Sequence, residues 1–132
     1  LTEEDYAAKE DWADGKNIKW NYSDIQFSEI CARRLEQHLR EINPDKEKIV
    51  AVTHHLPFSE MVIRKPNNDA GFLVGNAYLG SARLGETLLS DPRVKVVISG
   101  HTHKPGYWRI GNIDCYNVSA PIGQIHYRVM EV

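Results

Sequence analysis

Two short runs of β-branched residues stand out in the hydrophobic pattern of this chain. Residues 94–98 read Val-Lys-Val-Val-Ile, interrupted only by Lys95, and residues 49–53 read Ile-Val-Ala-Val-Thr. Apolar runs of this length, without alternation, are typical of strands buried on both faces. The pattern therefore predicts two buried strands, over 49–53 and 94–98.

Helical spacing of apolar residues precedes each of these runs. The first helix is predicted over 24–42, because Ser23 and Gln26 form a capping-box pattern and Asn43-Pro44 ends the segment. A second helix is predicted over about 82–90, with Ser81 as its cap. Helices that alternate with strands indicate an α/β protein built in layers.

The remaining segments complete the predicted architecture. Residues 58–76 contain several glycine, proline and asparagine residues and are predicted to form a long loop. Gly111-Asn112 is a hairpin signal between two strand-like segments, and residues 125–129 alternate between apolar and polar side chains as a last strand would. The count is about five strands and two main helices. Residues 1–22 are polar and irregular.

Composition narrows the class of protein. The chain has 132 residues with a net charge of −2, so one domain is expected and there is no basic surface to suggest nucleic acid. No apolar stretch is long enough to span a membrane. Cys31 and Cys115 match no metal or redox spacing and are expected to be reduced thiols in a cytoplasmic protein. The first residue is Leu1 rather than methionine, which leaves a piece of a longer protein and a natural short protein both open.

Histidines follow both predicted buried strands. His54-His55 comes after the first, and Gly100-His101-Thr102-His103 comes after the second. The carboxyl ends of parallel strands meet at one edge of a sheet, and residues two apart in an extended segment point the same way. Gly100 is expected to permit the turn off the strand through a positive φ. Three histidines could complete one zinc site with an open position, or they could belong to a two-metal site.

The two histidine segments resemble a known family. Gly100-His101-Thr102-His103 is similar to the last motif of the calcineurin-like metallophosphoesterases, and Thr53-His54-His55-Leu56-Pro57 is similar to the motif before it. The resemblance covers about residues 23–132. It implies one half of a four-layer α/β/β/α sandwich, in which a mixed sheet of about five strands has helices on one face. It also implies hydrolysis of phosphomonoesters or phosphodiesters. It also implies two divalent ions (Mn, Fe, Zn, Co or Ni), about 3.5–4 Å apart, that activate a hydroxide for in-line attack on phosphorus.

The resemblance also assigns roles to the histidines. His54 and His101 would bind one metal ion, and His103 would bind the other. His55 would lie beside the metal centre, where it orients a ligand or touches the phosphate of the substrate.

Several motifs of the family do not occur in this chain. An Asp-x-His, a Gly-Asp and a Gly-Asn-His should precede the two histidine segments, but none of them is found before residue 54. Residues 23–132 are therefore expected to be the C-terminal part of such a domain, with the N-terminal half as a missing partner. In the family, the aspartate of the Gly-Asp motif bridges the two metal ions. Without that carboxylate, the isolated chain should bind at most one metal ion, weakly, and should have little or no activity. The sheet face that lost its partner is expected to favour self-association.

Two alternatives remain open. The chain could be a non-catalytic scaffold derived from the same fold, although a scaffold has no need of three convergent imidazoles. It could also hold a stand-alone metal site made of His54, His101 and His103, which would need all three imidazoles to converge on one ion. The sequence determines neither the substrate nor the identity of the metal.

Overall fold

The computed structural model describes residues 17–19, 21–63, 70–125 and 127–129. Residues 1–16 and 20, most of the predicted irregular segment 1–22, lie outside the described ranges. The elements are, in chain order, α1 (Asp24–Glu41), β1 (Ile49–Val52), a 3₁₀ turn (Ser59–Met61), α2 (Ala70–Leu79), α3 (Ala82–Ser90), β2 (Val94–Ser99), β3 (Gly106–Ile110) and β4 (Ile113–Asn117).

The described strands form one mixed sheet in the order β1-β2-β4-β3. β1, β2 and β4 run parallel to one another, and β3 pairs with β4 as an antiparallel hairpin. The hairpin turn is at the predicted Gly111-Asn112, where Gly111 has a φ of 56°, a value that glycine adopts without strain. Because three neighbouring strands are parallel, their carboxyl ends lie at the same edge of the sheet.

The prediction of a fifth strand over 125–129 is wrong for the residues that the structure describes there. Residues 125 and 127–129 have no strand pairing, and Ile125 and Tyr127 are 96% and 81% exposed. Alternation of apolar and polar side chains favours a strand only when a neighbouring strand and a surface to cover are available. The described sheet therefore has four strands instead of about five.

The predicted loop 58–76 is wrong in its second half, where α2 begins at Ala70. The sequence of α2 is apolar on nearly all sides and contains two glycines, so it shows no amphipathic period and resembles a loop. Residues 64–69 lie outside the described ranges. None of the helices in the described part of the chain is long and apolar enough to cross a membrane.

Helix α1 begins where the sequence predicted. The Ser23 hydroxyl accepts a hydrogen bond from the Gln26 amide, and the Gln26 side chain accepts one from the Ser23 amide. α1 packs against α3, and the hydroxyls of Ser28 and Ser81 are hydrogen-bonded at 2.8 Å between the two helices. Both helices contribute to the core on the same face of the sheet, as the predicted layering requires.

The core lies between these helices and the sheet. Leu39 of α1 and Leu88 of α3 pack with Ala51, Val97 and Cys115 of the three parallel strands. Leu88, Val97 and Cys115 are each 0% exposed. Burial raises the pKa of the Cys115 thiol to about 11, so this thiol is protonated at neutral pH.

The opposite face of the sheet is uncovered in the described part of the chain. Val50 and Val52 of β1 alternate with the core residues and are 40% and 74% exposed, and Tyr107 of β3 is 51% exposed. The guanidinium of Arg128 lies 4.5 Å from the ring centroid of Tyr116 on this face. We call this surface the open face.

Candidate metal centre

The carboxyl edge of the parallel strands carries the histidines. His54 follows β1 and His101 follows β2, and the pairing of the two strands continues past their ends. The amide of Thr53 donates to the Ile98 carbonyl at 2.9 Å, and the amide of Gly100 donates to the His54 carbonyl at 3.2 Å. Main-chain hydrogen bonds therefore fix His54 and His101 side by side.

Three imidazoles form a cluster at this edge. The ring centroids of His54 and His101 are 4.7 Å apart, and the ring of His55 lies 5.2 Å from that of His54 and 4.9 Å from that of His101. His54 Nε2 and His101 Nδ1 are separated by only 2.9 Å. At that distance one of the two nitrogens carries the proton and the other accepts it.

The spacing of these two nitrogens can be compared with that of two ligands of one metal ion. Imidazole nitrogens bind zinc at about 2.0–2.1 Å in a tetrahedral arrangement, so two of them on one ion would be about 3.3–3.4 Å apart. The observed separation of His54 Nε2 and His101 Nδ1 is 2.9 Å. The pair is thus slightly closer than two zinc ligands, and a shared cation would require the rings to move apart and turn both lone pairs toward the ion.

His103 lies outside this ring cluster. The expectation of an extended segment after β2 is wrong, because His101 and His103 have φ values of 73° and 56°, in the left-handed region. The positive φ that the sequence suggested for Gly100 is found instead at the two histidines. The chain turns immediately after the strand, so the two imidazoles are not presented side by side as in a strand. The structure keeps His101 beside His54 and leaves His103 exposed.

A buried asparagine at the same edge was not anticipated from the sequence. Asn117, the last residue of β4, is 3% exposed and pairs in register with Ser99 of β2. Its Nδ2 donates to Thr102 Oγ1 at 2.6 Å, and its Oδ1 accepts from the Ser119 amide at 2.9 Å. The reasoning that located the histidines, that the ends of parallel strands meet, applies equally to the end of β4 and could have found Asn117.

The segment after His55 is held on its other side by α2 and α3. Leu56 forms an isolated parallel bridge with Gly80: its amide donates to the Leu79 carbonyl at 2.9 Å, and its carbonyl accepts from the Ser81 amide at 3.0 Å. A side chain at position 80 would overlap the Leu56 carbonyl group, so only glycine fits there. The turn that carries His54 and His55 is thus fixed at both ends.

Comparison with known proteins decides the family. Residues 7–105 of the 132-residue chain match the family described as calcineurin-like phosphoesterase. The chain belongs to this family. No curated protein and no solved structure matches the chain significantly. The matched range includes both histidine segments of this phosphoesterase chain and extends into the segment 1–22.

The calcineurin-like phosphoesterases are hydrolases that use divalent metal ions and act on phosphoesters. In the described part of the chain, no group of three or more histidine, cysteine, aspartate or glutamate side chains is arranged to hold a metal ion. Among the described residues, His54 and His101 are hydrogen-bonded through their rings, with the ring of His55 alongside.

Proposed function

We propose that this chain supplies one part of the two-metal centre of a phosphoesterase that cleaves phosphomonoesters or phosphodiesters. The observation that supports this most directly is the 2.9 Å separation of His54 Nε2 and His101 Nδ1 at the carboxyl edge of the sheet. Family membership supplies the reaction class. Two free thiols, Cys31 and Cys115, are consistent with the cytoplasmic location that forms part of the proposal.

The histidines have different tasks in this proposal. His54 and His101 bind one divalent ion together, because their facing nitrogens lie close enough to reach the same ion. His103 follows on the same turn, where it is exposed, and it binds the other ion. The imidazole of His55 packs against His54 and His101, where it orients a ligand or donates a hydrogen bond to the phosphate.

Bound divalent ions would supply activation of the nucleophile and neutralisation of charge on the phosphoryl oxygens. The chain alone is missing the bridging aspartate, the asparagine and the further histidine that the earlier motifs of the family provide. Two cations a few ångströms apart repel strongly unless a carboxylate lies between them. We therefore propose that the isolated chain binds at most one metal ion, weakly, and is inactive.

The isolated chain should not hydrolyse bis-(p-nitrophenyl) phosphate or p-nitrophenyl phosphate when Mn²⁺ is added. Release of p-nitrophenol, followed by absorbance, should stay at the rate of a His101→Ala control measured beside it. Turnover of about 1 s⁻¹ or more, the ordinary range for enzymes, would contradict the proposed inactivity. If His101→Ala abolished that turnover, the same result would support the assignment of the site.

The phosphoesterase assignment itself is tested in a longer protein. If the coding sequence upstream of Leu1 holds the missing Asp-x-His, Gly-Asp and Gly-Asn-His motifs, the protein that includes them should hydrolyse at least one of the two substrates. His101→Ala should then remove the activity, whereas His38→Ala, on the exposed surface of α1, should not. An inactive long protein with all motifs present and metal bound would favour the non-catalytic scaffold.

A single-metal site made of His54, His101 and His103 receives less support. That alternative requires the three imidazoles to converge on one ion. In the described residues the third ring beside the His54–His101 pair belongs to His55, and no three-residue metal group is found.

The open face is proposed to be where the missing N-terminal half of the same domain packs. Its apolar residues alternate with the core residues of β1, so they form a second buried surface when a layer covers them. Without that layer, the same surface should bring two copies of the chain together.

Arg109 and Asp114 form an ion pair at 2.6 Å farther along this face, and the guanidinium holds the pKa of Asp114 below its ordinary value.

Val52→Asp should make the chain monomeric in sedimentation velocity at concentrations where the parent chain associates. Val52 is 74% exposed, so the substitution removes apolar contact area in the complex and costs the folded monomer little. Ile122→Asp is a matched control, because Ile122 is 90% exposed but lies outside the sheet. A parent chain that stays monomeric at high concentration would contradict the proposal.

A further inference from the structure

Two residues at the histidine turn are held in a backbone conformation that is unfavourable for them. His101 and His103 have φ values of 73° and 56°, although each carries a side chain that crowds the backbone in the left-handed region. Such a conformation persists only where neighbouring groups fix it. Thr102, between the two histidines, is the residue through which the turn is fixed.

The hydroxyl of Thr102 connects three parts of the turn. It accepts a hydrogen bond from Asn117 Nδ2 at 2.6 Å and another from the Lys104 amide at 3.4 Å, and it donates to the Lys104 carbonyl at 3.3 Å. The Thr102 amide donates to the Gly100 carbonyl at 2.9 Å. These contacts use the one donor and both acceptor positions of the hydroxyl.

Asn117 joins this turn to the sheet. It is 3% exposed and ends β4, and its side-chain oxygen accepts from the Ser119 amide at 2.9 Å, so the amide group is held at both ends. A buried amide with both ends paired has a single orientation. The donor that Asn117 presents to Thr102 is therefore fixed by the sheet rather than by the turn.

We propose that Asn117 is a positioning residue, which acts through the Thr102 hydroxyl to hold His101 and His103 in the left-handed conformation that directs their imidazoles. The proposal rests on the proposed function, since it concerns the direction of histidines that are to bind metal. It adds a residue from a third strand, β4, to a site that the histidine motifs place on β1 and β2 alone.

The test compares Thr102→Val, which has nearly the same shape but no hydroxyl, with Thr102→Ser, which keeps the hydroxyl. Three-bond couplings between amide and α protons, measured by NMR, report φ at His101 and His103, and titration with Zn²⁺ against a chromogenic chelator gives the affinity. Thr102→Val and Asn117→Ala should shift both couplings and weaken Zn²⁺ binding about tenfold, the lower end of the effect of outer ligand supports. Thr102→Ser should restore both readouts. Thr87→Val, which makes the same substitution on α3, should change neither.

The outcomes separate this proposal from the proposed function. Unchanged couplings in Thr102→Val and Asn117→Ala would overturn the positioning role, whatever the parent chain binds. Changed couplings with unchanged Zn²⁺ affinity would also overturn it, because the turn would then not direct a ligand. If the parent chain bound no Zn²⁺ at all while the couplings shifted, the proposed metal site would fail and the structural effect of Asn117 on the turn would stand. If Asn117→Ala did not fold, Thr102→Val would carry the test, since Thr102 is only half-buried.

Discussion

Replacing His101 with alanine should lower the affinity of the chain for Zn²⁺ by more than about tenfold, because one of two adjacent ligands is lost and outer supports alone are worth 10–100-fold. The same loss is expected for His54→Ala, since the two facing nitrogens are only 2.9 Å apart. Competition with a chromogenic chelator gives the affinity, and a Zn²⁺-dependent rise in melting temperature gives an independent readout.

The matched control for this measurement is His38→Ala. His38 lies on the exposed surface of α1, within its last turn, and should leave Zn²⁺ binding unchanged. The proposed site would be wrong if His38→Ala weakened binding as much as His101→Ala. It would also be wrong if His54→Ala had no effect, because the pair is the basis of the site.

Leu88→Ala should reduce the free energy of unfolding by about 2–5 kcal/mol, the range for removing a large aliphatic side chain from a packed core. Leu88 belongs to α3, is 0% exposed, and packs against the three parallel strands. A loss of this size is a large fraction of the stability of a native domain, which is about 5–15 kcal/mol. Urea unfolding followed by circular dichroism measures the free energy of unfolding. The dependence of that free energy on urea concentration should be the same in both variants, so that the difference reports stability alone.

The neighbouring leucine is the control for that substitution. Leu89 is 49% exposed, and Leu89→Ala should change the free energy of unfolding by about 0.5 kcal/mol or less. If the two variants were equally destabilised, α3 would not be oriented as described. If Leu88→Ala cost under about 1 kcal/mol, the core would have repacked around the missing side chain.

Local sequence patterns predicted those helices, strands and turns that are determined by their own residues. Ser23 and Gln26 are sufficient to start α1, because each satisfies an amide of the other. Strands β1 and β2 follow from their β-branched runs, and the hairpin turn follows from Gly111-Asn112. The expected burial on both faces is wrong for β1, because its Val50 and Val52 are exposed. The histidine pair was also predictable, since two strand ends in one parallel sheet meet at one edge.

Features that depend on distant neighbours were not predictable in the same way. An alternating segment such as 125–129 forms a strand only if another strand is free to pair with it, and its own residues do not reveal this. The left-handed backbone at His101 is set by hydrogen bonds to β4 and Lys104, whereas a local rule assigns such a conformation to Gly100. α2 was missed because an apolar helix without a polar side has no period to detect.

The main-chain bonds around His54 and His55 affect the entropy of ligand capture. Ordering the backbone of one residue costs about 1–2 kcal/mol in conformational entropy. In this turn the loss occurs on folding, through the bonds from Thr53 to Ile98, from Gly100 to His54 and from Leu56 to Leu79. A cation that arrives later meets imidazoles on a backbone already in place, so its binding free energy is not reduced by the entropy cost of ordering this turn.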